Sequence, residues 1–182
     1  NVGKSSLLNK IVGQKVAIVS DKPQTTRTKI MGVVTNAETQ LVFIDTPGFH
    51  KPHNLLGDSM IKAVKDGMSD VDAAVLVIDA CPDFKLDFNN LPPAELSLIE
   101  TVKAKKLKCI LVVNKIDLLK EKEDLFGIIT AYSRLLDFDA VIPLSAKSGD
   151  GVSILLDEIN KYAKPSPHFF SNDDFTDQPE KV

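Results

Sequence analysis

Two stretches, "DAAVLVID" (72–79) and "KCILVVN" (108–114), are apolar almost without interruption. A strand with one wet face alternates apolar and polar residues. A strand that is apolar throughout has to be covered on both faces, as parallel strands are when helices lie on either side of their sheet. These two runs constrain the fold more than anything else in the chain. The covering helices are legible too. Residues 93–106 form a helical pattern with a proline near its first turn. Leu125 to Leu136 and Val152 to Tyr162 form two more, with Asp150 the candidate N-cap of the second. Ser5 to Val12 is helical and stops at Gly13, and Leu56, Met60, Ala63, Val64 and Met68 recur at helical spacing within 55–68. "KIMGVVT" (29–35) and "TQLVFID" (39–45) are strands joined by the turn residues Asn36-Ala37-Glu38. "AVIPLS" (140–145) is a short strand. Strands alternating with helices predict an α/β domain with a parallel-rich sheet and helices on both faces. Such sheets hold ligands at the carboxyl ends of their strands, and the unusual residues of this chain fall there.

Asn1-Val2-Gly3-Lys4-Ser5-Ser6 reads as the second half of a phosphate-gripping loop, G-x-x-x-x-G-K-S/T, running into a helix. Backbone N–H groups of such a loop and the helix start form an anion cradle. Lys4 would reach the β- and γ-phosphates of a nucleotide, and the Ser5 hydroxyl would bind Mg²⁺. "FIDTPG" follows: Asp45 ends an apolar strand, where a carboxylate holds Mg²⁺ directly or through water. Gly48 can offer a backbone N–H to a γ-phosphate because no side chain blocks the approach. "VVNKID" is the most specific signal. The Asp117 carboxylate can accept from both N1–H and the exocyclic amine of guanine, a donor pair that adenine lacks on that edge. Asn114 can brace the loop and the purine, and the Lys115 stem can cover the ring. In "LSAKSG", Ser145-Ala146-Lys147 follow a short strand, and the Ala146 N–H can donate to guanine O6. Each segment alone also fits an ordinary surface turn. Their order and spacing carry the reading.

The four motifs in this order resemble those of the translation-factor-like GTPases. "SDKPQTTRTKIMGVVT" and "DTPGFHKPHNLLGDSM" resemble in particular the Era-type GTPases, a family acting in bacterial ribosome assembly, and the likeness covers almost the whole chain. The resemblance implies a P-loop NTPase fold, a three-layer α/β/α sandwich, over residues 1–164. It implies that a strand and a first loop glycine precede Asn1. Residues 165–182, "KPSPHFFSNDDFTDQPEKV" from Lys164 on, would then be a linker toward a KH RNA-binding domain. It further implies a Mg²⁺-dependent GTPase, GTP and GDP as ligands, and the small ribosomal subunit and its rRNA as partners. A monomer in the cytoplasm, with peripheral association at the inner face of the membrane, belongs to the same expectation. "QTTR" becomes the first switch, with Thr26 closing on Mg²⁺ beside Ser5 and Asp45, and Thr25 as the other choice. Lys4, Thr26 and Gly48 are the residues expected to act on the transferred phosphoryl group. Phe49 stands where Ras-like relatives have a glutamine that orients the attacking water, so turnover should be slow unaided. Asn1 either binds a K⁺ ion that supplies positive charge there or merely shapes the loop.

Three rivals stay in view. Another GTPase of the same group would share the four motifs, but the "KPQTTR" and "TPGFHKPHNLLG" segments argue against it. A P-loop kinase would lack the guanine-reading pair. A binding module without catalysis would keep every motif and release no phosphate. Composition excludes little beyond this. A net charge of -3 gives no global pull toward nucleic acid or anionic membrane. No apolar run approaches the length of a membrane span. The two cysteines, Cys81 and Cys109, form no C-x-x-C pair, which fits a reducing compartment. His50 and His53 fit a solvated loop better than a metal site. "KAKKLK" (103–108) fits a cationic helix end better than an RNA contact.

Overall fold

The computed structural model describes residues 2–13, 29–45, 71–80, 91 and 93–169. The helical pattern of 55–68, the expected switch residues Thr25 and Thr26, and Asn1, Gly48, Phe49, His50, His53 and Cys81 lie outside them. In chain order the elements are α1 (Lys4–Val12), β1 (Lys29–Asn36), β2 (Thr39–Asp45), β3 (Ala73–Asp79), α2 (Pro93–Lys105), β4 (Lys108–Asn114), a 3₁₀ turn (Ile116–Leu118), α3 (Lys122–Ser133), β5 (Ala140–Pro143) and α4 (Val152–Asn160).

β1 and β2 form an antiparallel hairpin, and β3, β4 and β5 form a parallel sheet with β4 in the middle. The apolar run 109–113 becomes the centre of the molecule, with every side chain from Cys109 to Val113 no more than 1% exposed. Its alternation sends Ile110 and Val112 into one core with Leu7 and Ile11 of α1, Val34 of β1, and Val152 and Leu155 of α4. Leu111 and Val113 enter the other core with Ile99 of α2 and Ile128, Ala131 and Tyr132 of α3. Coverage on both faces is why β4 tolerates no polar position between Lys108 and Asn114. β3, expected to be as deeply buried, is mostly half-buried, because among the described residues it pairs with β4 on one side only. Gly32 lets α1 settle on the hairpin, since a side chain there would collide with Val12.

Several boundaries shift for local reasons. The third helix begins at Lys122, three residues before the expected Leu125. Its polar first turn, with Glu123 and Asp124, suits the positive end of the helix dipole but carries no apolar periodicity. The expected final turn at Leu135 and Leu136 is instead a pair of N–H bonds back to the Tyr132 carbonyl. α2 stops at Lys105 because Lys106 is left-handed, φ 52°. Its N–H bonds the Lys103 carbonyl and the Leu107 N–H bonds the Val102 carbonyl, a Schellman closure with lysine where glycine is usual. Asp150 is not the cap of α4. Gly151 is, at φ 78°, with no side-chain cap bond, and Asp150 Oδ2 instead accepts from the Ser148 hydroxyl at 3.1 Å. Beyond α4, a His168 ring nitrogen lies 2.9 Å from the Glu38 carbonyl in the β1–β2 turn.

Candidate functional site

The carboxyl ends of β3, β4 and β5 and the start of α1 meet at one edge of the sheet. Gly3 precedes α1 in a left-handed conformation, φ 84°, which costs glycine little and other residues about 1–2 kcal/mol. A Cβ at Gly3 would also collide with Asn114 Nδ2. The glycine therefore has two jobs, turning the loop and admitting Asn114. α1 has no acidic residue in its first turn and no side-chain cap, so its positive end remains available to an anion. Ser5 and Ser6 are exposed there, and Lys4 is half-buried.

Asn114 is only 1% exposed, and it ties two loops together. Its Nδ2 donates to the Val2 carbonyl at 2.9 Å, and its Oδ1 accepts the Ala146 N–H at 2.9 Å. In the structure the Ala146 N–H, the donor expected for guanine O6, is bonded to Asn114 Oδ1. The reason is burial, because a carbonyl oxygen with so little access to water must find a donor inside the protein.

Lys115 takes a left-handed conformation, φ 69°. That turn leads into the 3₁₀ segment carrying Asp117, and the Ile116 N–H bonds the Leu144 carbonyl at 3.3 Å. Asp117 is exposed, yet its orientation is fixed. The Ser145 hydroxyl, fully buried, donates to Asp117 Oδ1 at 2.6 Å and accepts the Ser148 N–H at 3.2 Å. A carboxylate held on one oxygen and open on its outer edge can accept a pair of donors from a planar base. Lys147 is exposed beside it. The loop around Ser145 depends on Gly151, where a side chain would run into the Pro143 carbonyl and Leu144.

The sequence-derived residues Val2, Gly3, Asn114, Lys115, Asp117, Ser145 and Ala146 thus converge through a continuous network. Asp45 ends β2, with Thr26 and Gly48 outside the described residues. Among the described residues no group of three or more His, Cys, Asp or Glu side chains gathers as a metal site. One participant escaped the sequence reading. Asp79, the last residue of β3, forms an ion pair with Lys115 Nζ. The signal was there, since "VID" at 77–79 ends its strand in a carboxylate just as "FID" at 43–45 does.

Residues 1–115 match the family described as 50S ribosome-binding GTPases. Over 183 aligned residues the chain is 46% identical to GTPase Era of Ruminiclostridium cellulolyticum, covering 100% of this chain and 58% of that protein. It is 44% identical to GTPase Era of Clostridioides difficile, covering 100% of this chain and 59% of the relative. A crystal structure of Era in complex with MgGDPNP and nucleotides 1506–1542 of 16S ribosomal RNA superposes with a TM-score of 0.73 at 31% identity. That superposition covers 98% of this chain and 59% of the other. The chain therefore spans a little under three fifths of the length of the curated relatives it matches.

Proposed function

The chain belongs to the 50S ribosome-binding GTPases, is Era-like over its whole length and has the P-loop GTPase fold, and from that premise we propose that it is a nucleotide switch that binds Mg²⁺·GTP and hydrolyses it to GDP and phosphate. The observation that carries the reading is Asp117, exposed at the sheet edge and oriented by a buried Ser145. Beside it, Asn114 fastens the phosphate-loop backbone. Base edge and phosphates are thus addressed by one hydrogen-bonded unit. The α1 N-terminus and Lys4 would take the phosphates. Ser5, Asp45 and Thr26 would hold the metal, which neutralises charge on the phosphates. Catalysis of this kind is positioning and electrostatics with no covalent intermediate.

The likeness to an Era solved with a 16S rRNA fragment supports the small ribosomal subunit as partner, through an RNA-binding region reached by way of residues 165–182. A monomeric, cytoplasmic protein with peripheral contact at the membrane, and K⁺ held by Asn1, complete the proposal. The test pairs calorimetric binding of GTP, GDP and ATP with phosphate release by the full-length protein, in KCl and in NaCl. Guanine-selective binding with Mg²⁺-dependent phosphate release is expected. Selective binding without release leaves a binding module. Equal affinity for ATP overturns the guanine assignment, and equal rates in the two salts remove K⁺.

A further inference from the structure

Asp79 is the last residue of β3 and stands in register with Asn114 of β4. The Ala80 N–H donates to the Asn114 carbonyl at 2.8 Å, carrying the pairing one step past the strand end. The Asp79 side chain is 16% exposed, and that of its partner Lys115 is 32% exposed. Lys115 Cε lies 4.0 Å from where a Cβ on Gly3 would stand. The lysine stem therefore runs from the end of β4, past the phosphate-loop glycine, to the end of β3. Its left-handed backbone, φ 69°, begins that path. A free lysine stem samples many rotamers, and a partly buried ion pair is what confines it here.

We infer that Asp79 is a positioning residue for nucleotide binding. It anchors the ammonium group of Lys115 and so holds the lysine stem as a fixed apolar wall beside the phosphate loop, against which the face of a guanine ring packs. The inference rests on the nucleotide-binding reading above. Asp79 acts through Lys115 and touches no part of the nucleotide. Because the stem presents a surface to the ring's face and not to its edge, Asp79 governs how long the nucleotide stays. Base choice is left to Asp117.

The test is stopped-flow dissociation of fluorescent N-methylanthraniloyl GDP and IDP from the full-length protein. The variants are Asp79→Ala, Asp79→Asn, Lys115→Met and the Asp79→Ala/Lys115→Met double. Each single variant should release both nucleotides about tenfold faster, the loss expected for one charge-assisted bond, with the GDP-to-IDP ratio unchanged. The shape-conserving Asn variant guards against a folding defect in the Ala variant. Adding Asp79→Ala to Lys115→Met should produce no further acceleration. The same acceleration in both backgrounds would mean that Asp79 acts only on the fold, and it overturns the inference. So does wild-type dissociation from Asp79→Asn. A wild-type protein that fails to bind the GDP probe overturns the nucleotide reading itself, a result separate from any behaviour of the Asp79 variants.

Discussion

Single residues at the sheet edge are specified by demands that differ in kind. Asn114 is specified by its two loops: it must donate to Val2 and accept from Ala146 while almost excluded from water. No other side chain of that size offers both a donor and an acceptor in this arrangement. Asp117 is the residue that the proposed function assigns to the ligand, and its outer edge faces solvent. Asp117→Asn exchanges one acceptor for a donor and should weaken GTP binding by about 2 kcal/mol. The same change should improve binding of xanthosine triphosphate, which keeps the N1–H donor and has a carbonyl acceptor where guanine has its exocyclic amine. Calorimetry with both nucleotides checks this, and unchanged GTP affinity would remove Asp117 from the site. Gly3 is specified by neither packing nor ligand alone. It combines a left-handed φ with the close approach of Asn114, so the loop before α1 and the end of β4 meet only because a side chain is missing.

Elements end where their backbone finds partners, and two of these ends make separable predictions. α2 closes in a Schellman turn on Lys106 at φ 52°. An L-residue with a Cβ is disfavoured there, so Lys106→Gly should stabilise the protein by about 1 kcal/mol. A rise in denaturation midpoint at unchanged slope is the expected readout. α4 starts on Gly151 with no side-chain cap. Asp150→Ala should therefore fall within about 0.5 kcal/mol of wild type, where loss of a working N-cap would cost about 1 kcal/mol. A cost of that size on urea titration would show that Asp150 caps after all. The lysines of 103–108 fit the same scale of argument. Lys103 and Lys105 lie in the last turn of α2, where positive charge meets the negative end of the helix dipole. Lys108 is bound to Asp139 Oδ1 at 2.8 Å, and the other oxygen of Asp139 accepts the Cys109 N–H at 2.8 Å, securing the start of β4.

Across the whole molecule, β4 divides two cores, and the one away from α1 contains an ionisable pair. The Tyr132 hydroxyl of α3 donates to Glu95 Oε2 of α2. Burial raises the Glu95 pKa above the usual carboxylate value, partly opposed by the bond from Tyr132. Burial, together with the Glu95 carboxylate, also raises the Tyr132 pKa. A raised carboxyl means that the folded state holds its proton more tightly than the unfolded state. The Glu95 contribution therefore worsens as pH climbs from the ordinary carboxylate value, about 4.3, through the raised folded value, and it stays unfavourable above that. Glu95→Gln keeps an acceptor for Tyr132 without the charge. It should melt higher than wild type at pH 7.5, with the difference shrinking toward pH 4. Equal melting temperatures at both pH values would place Glu95 in contact with more water than its burial implies. The thiol of Cys109 is also shifted by burial, up to about 12, so it behaves as a small apolar side chain in the core.

The amino-acid sequence determined the parts of this protein whose cause is local. Unbroken apolarity over 109–113 required a strand covered on both faces, and a strand has one interior arrangement that satisfies it. The residue types in Gly3-Lys4-Ser5, Asn114-Lys115-Ile116-Asp117 and Ser145-Ala146-Lys147 named the ends of the elements where a ligand could be held. Tertiary structure decided what each polar atom does once buried. The Ala146 N–H goes to Asn114 because packing removes the water that would otherwise satisfy that carbonyl. Asp79 becomes a partner of Lys115 only because parallel pairing places residue 79 opposite residue 114. Hydrogen bonds between residues 28, 36 and 112 positions apart have no periodic trace along a chain. They exist because strand register and helix packing deliver distant atoms to the same few ångströms, which periodicity and residue type cannot specify.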